Sequence, residues 1–332
     1  NKTMGQGGFQ EVEQMNLFKD MVCYQEEVRD PSRMAEVLNR VIEKAFRGSA
    51  PAQINVPRDY WTQVIDIELP PIVRFERQGG GKEAIENAAK LLSKAKFPVI
   101  LSGAGVVLGG AIDECKKLAE KLDAPVCNGY QHNDSFPGSH PLAVGPLGYN
   151  GSKAAMELIS KADVVLALGT RLNPFSTLPG YGIDYWPKKA TIIQVDMNPD
   201  RIGLTKKVSV GICGDAKQVA QQILDKLSSD AGNTGREERK NLIHKTKSAW
   251  LQTLSGLDHE EDDPGTVWNK EARERDKDRM SPRQAWRAIQ DALPQDAIIS
   301  SDIGNNCAIG NAYPTFEKPR KYLAPGLFGP CG

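Results

Sequence analysis

The sequence predicts an α/β protein with a doubly wound parallel sheet in a central domain, flanked by partial α/β units on either side. Three observations carry this. Between residues 83 and 227, short apolar runs alternate with stretches of helical apolar spacing, the pattern of a parallel sheet covered by helices on both faces. Several runs end in turn residues, as at Ser102-Gly103, Gly169-Thr170 and Asp196, where a strand must hand over to the next connection. Two punctuated stretches bracket this centre: residues 66–82, with two prolines and three glycines, and residues 229–279, rich in charge.

The elements follow in order. After Asp30-Pro31-Ser32, apolar residues recur at Met34, Val37, Leu38, Val41, Ile42 and Ala45, which is helical spacing, and Gly48 is the stop signal. Residues 53–57 are a short strand ended by Pro57. This pair looks like the closing unit of an α/β layer. In the centre, helices are predicted at 83–94, 111–122, 152–160 and 215–227. Strands are predicted at 97–101, 124–127, 163–168, 190–195 and 208–213. The charged stretch reads as a linker with surface helices, one of them around 236–254. A third unit opens at Ser281-Pro282, since serine caps a helix and proline suits its first turn. Its helix is expected at 284–293 and its strand at 297–300, running into Ser301-Asp302-Ile303-Gly304-Asn305-Asn306.

Composition excludes several classes. The 42 basic and 42 acidic residues cancel, and neither a nucleic-acid groove nor a basic membrane patch is expected without a clustered positive field. Six cysteines and four histidines include no CxxC pair, which argues against a structural zinc site. Cysteines within apolar runs suit reduced, buried thiols and a cytoplasmic location. No apolar stretch is long enough to span a bilayer. The chain starts at Asn1 and stops on Pro330-Cys331-Gly332; both ends read as truncations.

Four places merit attention as sites. Gly103-Ala104-Gly105 lies between a strand and a helix, where a phosphate can be cradled. Leu108 stands where the dinucleotide fingerprint requires its third glycine, so a tight turn is the competing reading. Arg171, just beyond a strand end, suits an anionic ligand or a surface ion pair. Asp196 could hold a ribose hydroxyl, but Asp196-Met197-Asn198-Pro199 favours a turn in which the carboxylate bonds its own backbone. His132 has no visible partner and receives no role. Gly304-Asn305-Asn306 is sharper: amide side chains and backbone N–H groups suit a diphosphate, and a second glycine loop, residues 326–332, follows.

The order of these segments resembles the acetolactate synthase superfamily of thiamine-diphosphate enzymes. Phe9-Gln10-Glu11 and residues 52–59 look like the late part of that family's pyrimidine-binding domain. Residues 195–199 through Gly214-Asp215-Ala216 look like the close of its central domain. Residues 301–304 and 326–332 look like the opening of its diphosphate-binding domain. The division implied is 1–70 for the first domain, 78–230 for the central domain, 231–280 for the charged linker and 281–332 for the third. The wording of residues 310–316 and 323–332 is closest to the branch that converts sulfoacetaldehyde and phosphate to acetyl phosphate and sulfite. Acetolactate synthases usually carry methionine where Cys331 stands, which argues against the synthase itself.

The resemblance implies thiamine diphosphate and Mg2+ as cofactors and a homodimer or homotetramer. It also implies that Gly304, Asn305 and Asn306 contact the diphosphate, that Gly329 and Cys331 lie in the loop against the aminopyrimidine, and that Phe9 and Gln10 flank the substrate channel. The activating glutamate is expected before residue 1 and the metal ligands after residue 332, so no catalytic or metal-binding residue falls within the chain. Gly103, Gly105 and Arg171 mark where some relatives hold a nucleotide. Two alternatives stand beside this reading: an acetolactate-type synthase or 2-oxo-acid decarboxylase of the same superfamily, and a non-catalytic nucleotide-binding regulatory module.

Overall fold

A computed structural model describes residues 4–71, 76–256, 279–326 and 329. The chain divides into two compact units, Asn1–Glu76 and Arg77–Gly332, and each is described by itself.

The first unit is built on one β–α–β crossover. A short helix α1 (Gln14–Phe18) precedes strand β1 (Tyr24–Glu27), helix α2 (Met34–Gly48) and strand β2 (Ala52–Asn55). The two strands pair in parallel, Tyr24 opposite Ala52, which requires the helical crossover between them. Asp30 accepts from the Ser32 N–H to open the turn at Pro31–Arg33 that leads into α2. Gly48 is the last helical residue, and Ser49 takes the left-handed conformation that closes the helix. Val28, Val37 and Val41 form the core, packed by Tyr24, Ile54 and Tyr60. Leu38, Ile42 and Phe46 of α2 are exposed.

The second unit contains six parallel strands in the order β5-β4-β3-β6-β7-β8. They are β3 (Pro98–Ser102), β4 (Val126–Asn128), β5 (Ala143–Pro146), β6 (Val164–Leu168), β7 (Thr191–Asp196) and β8 (Val210–Cys213). Every residue of β3 and β6 is buried, as expected for strands covered on both faces. The covering helices include α3 (Lys82–Lys94), α4 (Ala104–Gly109), α5 (Ile112–Leu122), α6 (Lys153–Ile159) and α7 (Ala216–Lys226). Helices α3, α4 and α5 all pack on α7, whereas α6 packs on the long helix α8 (Arg236–Gly256). The sheet is therefore doubly wound, as the sequence predicts.

Helix α8 lies in the stretch read from sequence as a charged linker, and it buries a continuous stripe of Arg239, Ile243, Thr246, Trp250 and Leu254. Arg239 donates to the carbonyls of Lys96, Leu122, Asp123, Gly232 and Thr234. It thereby ties the start of α8 to the end of α5.

The last described segment carries α9 (Pro282–Ala292), β9 (Ile299–Ser300), α10 (Asn305–Gly310) and β10 (Tyr322–Leu323). Ser281 and Gln284 form a full capping box at the start of α9. The pair β9 and β10 is parallel, and the strand is shorter than residues 297–300. Gly310 packs directly on the Trp286 indole, leaving no room for a side chain, and Trp286 donates to the Asn306 carbonyl at 2.9 Å.

Among the described residues, Cys115, Cys127 and Cys307 are buried thiols, Cys213 is half-buried and Cys23 is exposed. Burial pushes the Cys115 thiol up to about 12, which keeps it protonated and unreactive. No helix among the described residues is long and apolar enough to cross a membrane.

Candidate functional site

The strand order reverses between β3 and β6: the chain runs outward from β3 to β5, then returns to the other side of β3. A doubly wound sheet opens a crevice at the carboxyl ends of the strands where the order reverses. The turns after β3 and β6 meet here. Gly103 donates to the Leu168 carbonyl at 3.1 Å and Gly105 to the Gly169 carbonyl at 2.8 Å. A methyl group on Gly105 would sit 2.7 Å from the Gly169 Cα, and one on Gly103 would sit 2.5 Å from the Thr170 Cβ. The two glycines thus let one turn lie against the other. Their N–H groups are engaged by those carbonyls rather than turned to a phosphate.

Arg171 follows on the β6 side, half-buried, and its charge reaches His132 in the loop after β4. Burial pushes the His132 imidazole below its usual 6.5; Asp134 opposes this, and Arg171 adds to it. His132 is therefore neutral at pH 7. Asp196 accepts from the Asn198 N–H at 2.9 Å, an Asx turn as the sequence favoured.

The loop after β4 also makes a buried polar seam with the segment around α10. Gln131, only 7% exposed and at φ +63°, donates from its Nε2 to Cys307 Sγ at 2.6 Å. Its backbone N–H donates to Asn311 Oδ1 at 3.3 Å. Asn133 donates from Nδ2 to the carbonyls of Asn311 and Pro314, each at 2.9 Å. Asn311 in turn donates to the Leu147 and Tyr149 carbonyls. Asp134 accepts from the backbone N–H groups of Lys321 and Tyr322 at 3.0 and 3.4 Å. The Gln131 side-chain oxygen also lies against Gly326, at the spot where a Cβ would stand.

Helix α10 opens at the turn that the resemblance assigns to a diphosphate. Gly304 precedes it at φ +119°, ψ −159°, a conformation essentially restricted to glycine. Gly304, Asn305 and Asn306 are exposed, whereas Cys307, Ala308 and Asn311 behind them are buried. A Cβ on Gly304 would meet nothing within 4 Å, so the glycine serves backbone conformation, not packing. Gly329, at φ +62°, is exposed, and a methyl group on it would sit 3.7 Å from the Ile303 side chain. The structure thus brings Gly329 to the strand end that leads into Gly304. Cys331 lies outside the described residues. In the first unit, Phe9 is 94% exposed and Gln10 follows at φ +62° in a turn. Sequence reasoning missed Gln131, Asn133, Asp134 and Asn311. A polar loop residue carries no periodic signal, and only the fold shows that these four are buried together.

Residues 85–223 match the family described as thiamine pyrophosphate enzyme, central domain. That match falls on the six-stranded sheet and its covering helices, so residues 85–223 are similar to that family's central domain. The whole chain is 79% identical over 332 residues to a probable sulfoacetaldehyde acetyltransferase of Rhizobium meliloti, of which it covers 56%. It is also 79% identical to the sulfoacetaldehyde acetyltransferase of Roseovarius nubinhibens, covering 55%. A probable acetolactate synthase large subunit of Methanocaldococcus jannaschii is 30% identical, with 54% of it covered. The chain therefore spans about half the length of the curated relatives it matches. Among solved structures, benzoylformate decarboxylase from Polynucleobacter necessarius aligns with a TM-score of 0.73 at 18% identity, over 98% of this chain and 55% of that one. This last likeness is one of fold.

Proposed function

We propose that this chain is the central portion of a sulfoacetaldehyde acetyltransferase, which converts sulfoacetaldehyde and phosphate to acetyl phosphate and sulfite in sulfonate breakdown. The observation that carries the reading is the 79% identity, over the full chain, to two relatives bearing that name. The acetolactate synthases stand much further off, at 30% and below. A homodimer or homotetramer, as the superfamily resemblance implies, and a cytoplasmic location, as the cysteines suit, belong to the same proposal.

The residues present fit thiamine diphosphate at the turn before α10. Gly304 holds a backbone conformation that a side chain would disfavour, and two exposed carboxamides follow it. Amide N–H groups suit a multiply charged anion. Gly304, Asn305 and Asn306 are the residues proposed to hold the diphosphate, with Gly329 and Cys331 in the loop against the ring. When bound, thiamine diphosphate supplies a carbon nucleophile that adds to aldehydes and stores the electron pair needed to release sulfite. The chain's own contribution is to bind and orient that group through a rigid turn. Phe9 and Gln10 are proposed to border the substrate path. Magnesium would accompany the diphosphate; no three His, Cys, Asp or Glu side chains among the described residues are grouped to hold a metal, so none is assigned to it.

The test uses the full-length gene product with thiamine diphosphate, magnesium, sulfoacetaldehyde and phosphate. Acetyl phosphate and sulfite are expected in equal amounts. Turnover of pyruvate with no sulfite from sulfoacetaldehyde would move the protein to the synthase and decarboxylase side of the superfamily.

A further inference from the structure

We infer that Gln131, a residue of the central domain, positions both cofactor-contacting segments of the adjoining domain at once. This rests on the reading of residues 304–306 and 326–332 as the cofactor-contacting segments.

Gln131 leaves the sheet just after β4, in a left-handed backbone conformation that few non-glycine residues adopt. Such a conformation persists only when its surroundings enforce it. Here the enforcement comes from the residue that closes α10: the Gln131 N–H is held by Asn311. The two ends of the side-chain amide then point to different segments. Nε2 donates to Cys307, the third residue of the helix that opens with Asn305 and Asn306. Oε1 abuts Gly326, the first residue of the second glycine loop. No residue larger than glycine fits at 326 while this oxygen is in place.

The surrounding seam makes the amide a fixed reference point. Asn133 fastens the end of α10, and Asp134 fastens β10, which leads into the glycine loop. Tyr130 and Tyr322 crowd the same thiol, and burial together with Cys307 raises both phenols above their usual range. They therefore stay neutral, so the seam carries no mobile charge on these rings. The exposed turn is thus held from behind by buried bonds, the arrangement by which outer residues orient inner ligands. Gln131 does not reach the exposed face of the turn; it is a positioning residue.

The experiment measures thiamine diphosphate binding by calorimetry, with magnesium present, to the full-length protein and its variants, alongside thermal unfolding without cofactor. Gln131→Ala is expected to raise the cofactor Kd by roughly tenfold, as for other residues that support a ligand shell, while the cofactor-free protein stays folded. Gln131→Met fills the same space without an amide, and it should show the same loss even if the alanine variant fails to fold. Gly326→Ala should weaken binding from the other side, and adding Gln131→Ala to it should cost less than the two losses combined. Wild-type affinity in Gln131→Met would overturn the inference while leaving the proposed function intact. A folded wild-type protein that does not bind thiamine diphosphate would overturn both.

Discussion

Arg239 is fully buried and spends its guanidinium N–H groups on five carbonyls from three stretches of chain. A buried carbonyl that loses its donor keeps the desolvation cost without the bond. Arg239→Met keeps most of the stem but orphans the carbonyls of Leu122, Asp123 and Gly232. It is expected to destabilise the second unit by on the order of 3 kcal/mol, read as a fall in urea midpoint. Arg239→Lys should recover only part of this, because an ammonium cannot present the fork that reaches Lys96, Leu122 and Gly232 together. At the same scale, His132 shows how a residue with no visible partner in sequence acquires an environment. Its neutrality comes from burial and from Arg171, neither of which is a neighbour in the chain.

At the scale of elements, the β1–α2–β2 crossover carries an acid-sensitive link. Arg40 on α2 forms a two-pronged pair with Glu26 on β1, at 2.8 and 2.7 Å, and also binds Glu36. The Arg40 hydrogen bonds are the main reason the Glu26 carboxyl drops from 4.5 to about 2. Glu36 drops likewise, through Arg33 first and then Arg40. The unfolded chain takes up these protons near 4.5 and the folded unit only near 2, so the stabilisation is complete above 4.5 and is lost as pH falls towards 2. Glu26→Gln should lower the stability of residues 24–55 at neutral pH and reduce the slope between those two values, read by amide exchange. Most elements of the second unit were legible because their apolar runs end sharply in turn residues. Strand boundaries for β3, β4, β6, β7 and β8 fall within two residues of the periodicity. Helices α4 and α10 were not legible: each has six residues and ends in glycine, so local preference reads them as turns. The capping box of α9 was legible because its chemistry is local. The seam around Gln131 was not, because its bonds join residues about 180 apart in sequence.

At the scale of the molecule, the two units meet in sequence around residues 62–81. Val64, Ile65 and Leu69 have no regular structure there and are exposed. A protease that cuts before exposed aliphatic residues should cleave first in this stretch and leave a resistant fragment beginning near Arg77, identified by mass. Early cleavage within β3 to β8 instead would contradict the division into units. The reversal of strand order also has a consequence for synthesis. A chain leaving the ribosome completes β3, β4 and β5 in sequence, each strand adding to the outer side of the last. The opposite edge of β3, with Val99, Ile100 and Leu101, then awaits β6, about sixty residues later. At about 5–20 residues per second that interval is on the order of several seconds. Throughout it, a strand destined for the middle of the sheet is an open edge able to pair with another nascent chain. The window in which this protein is most open to misassembly is therefore written into its strand order, and slowing translation across the codons for residues 103 to 163 would lengthen it.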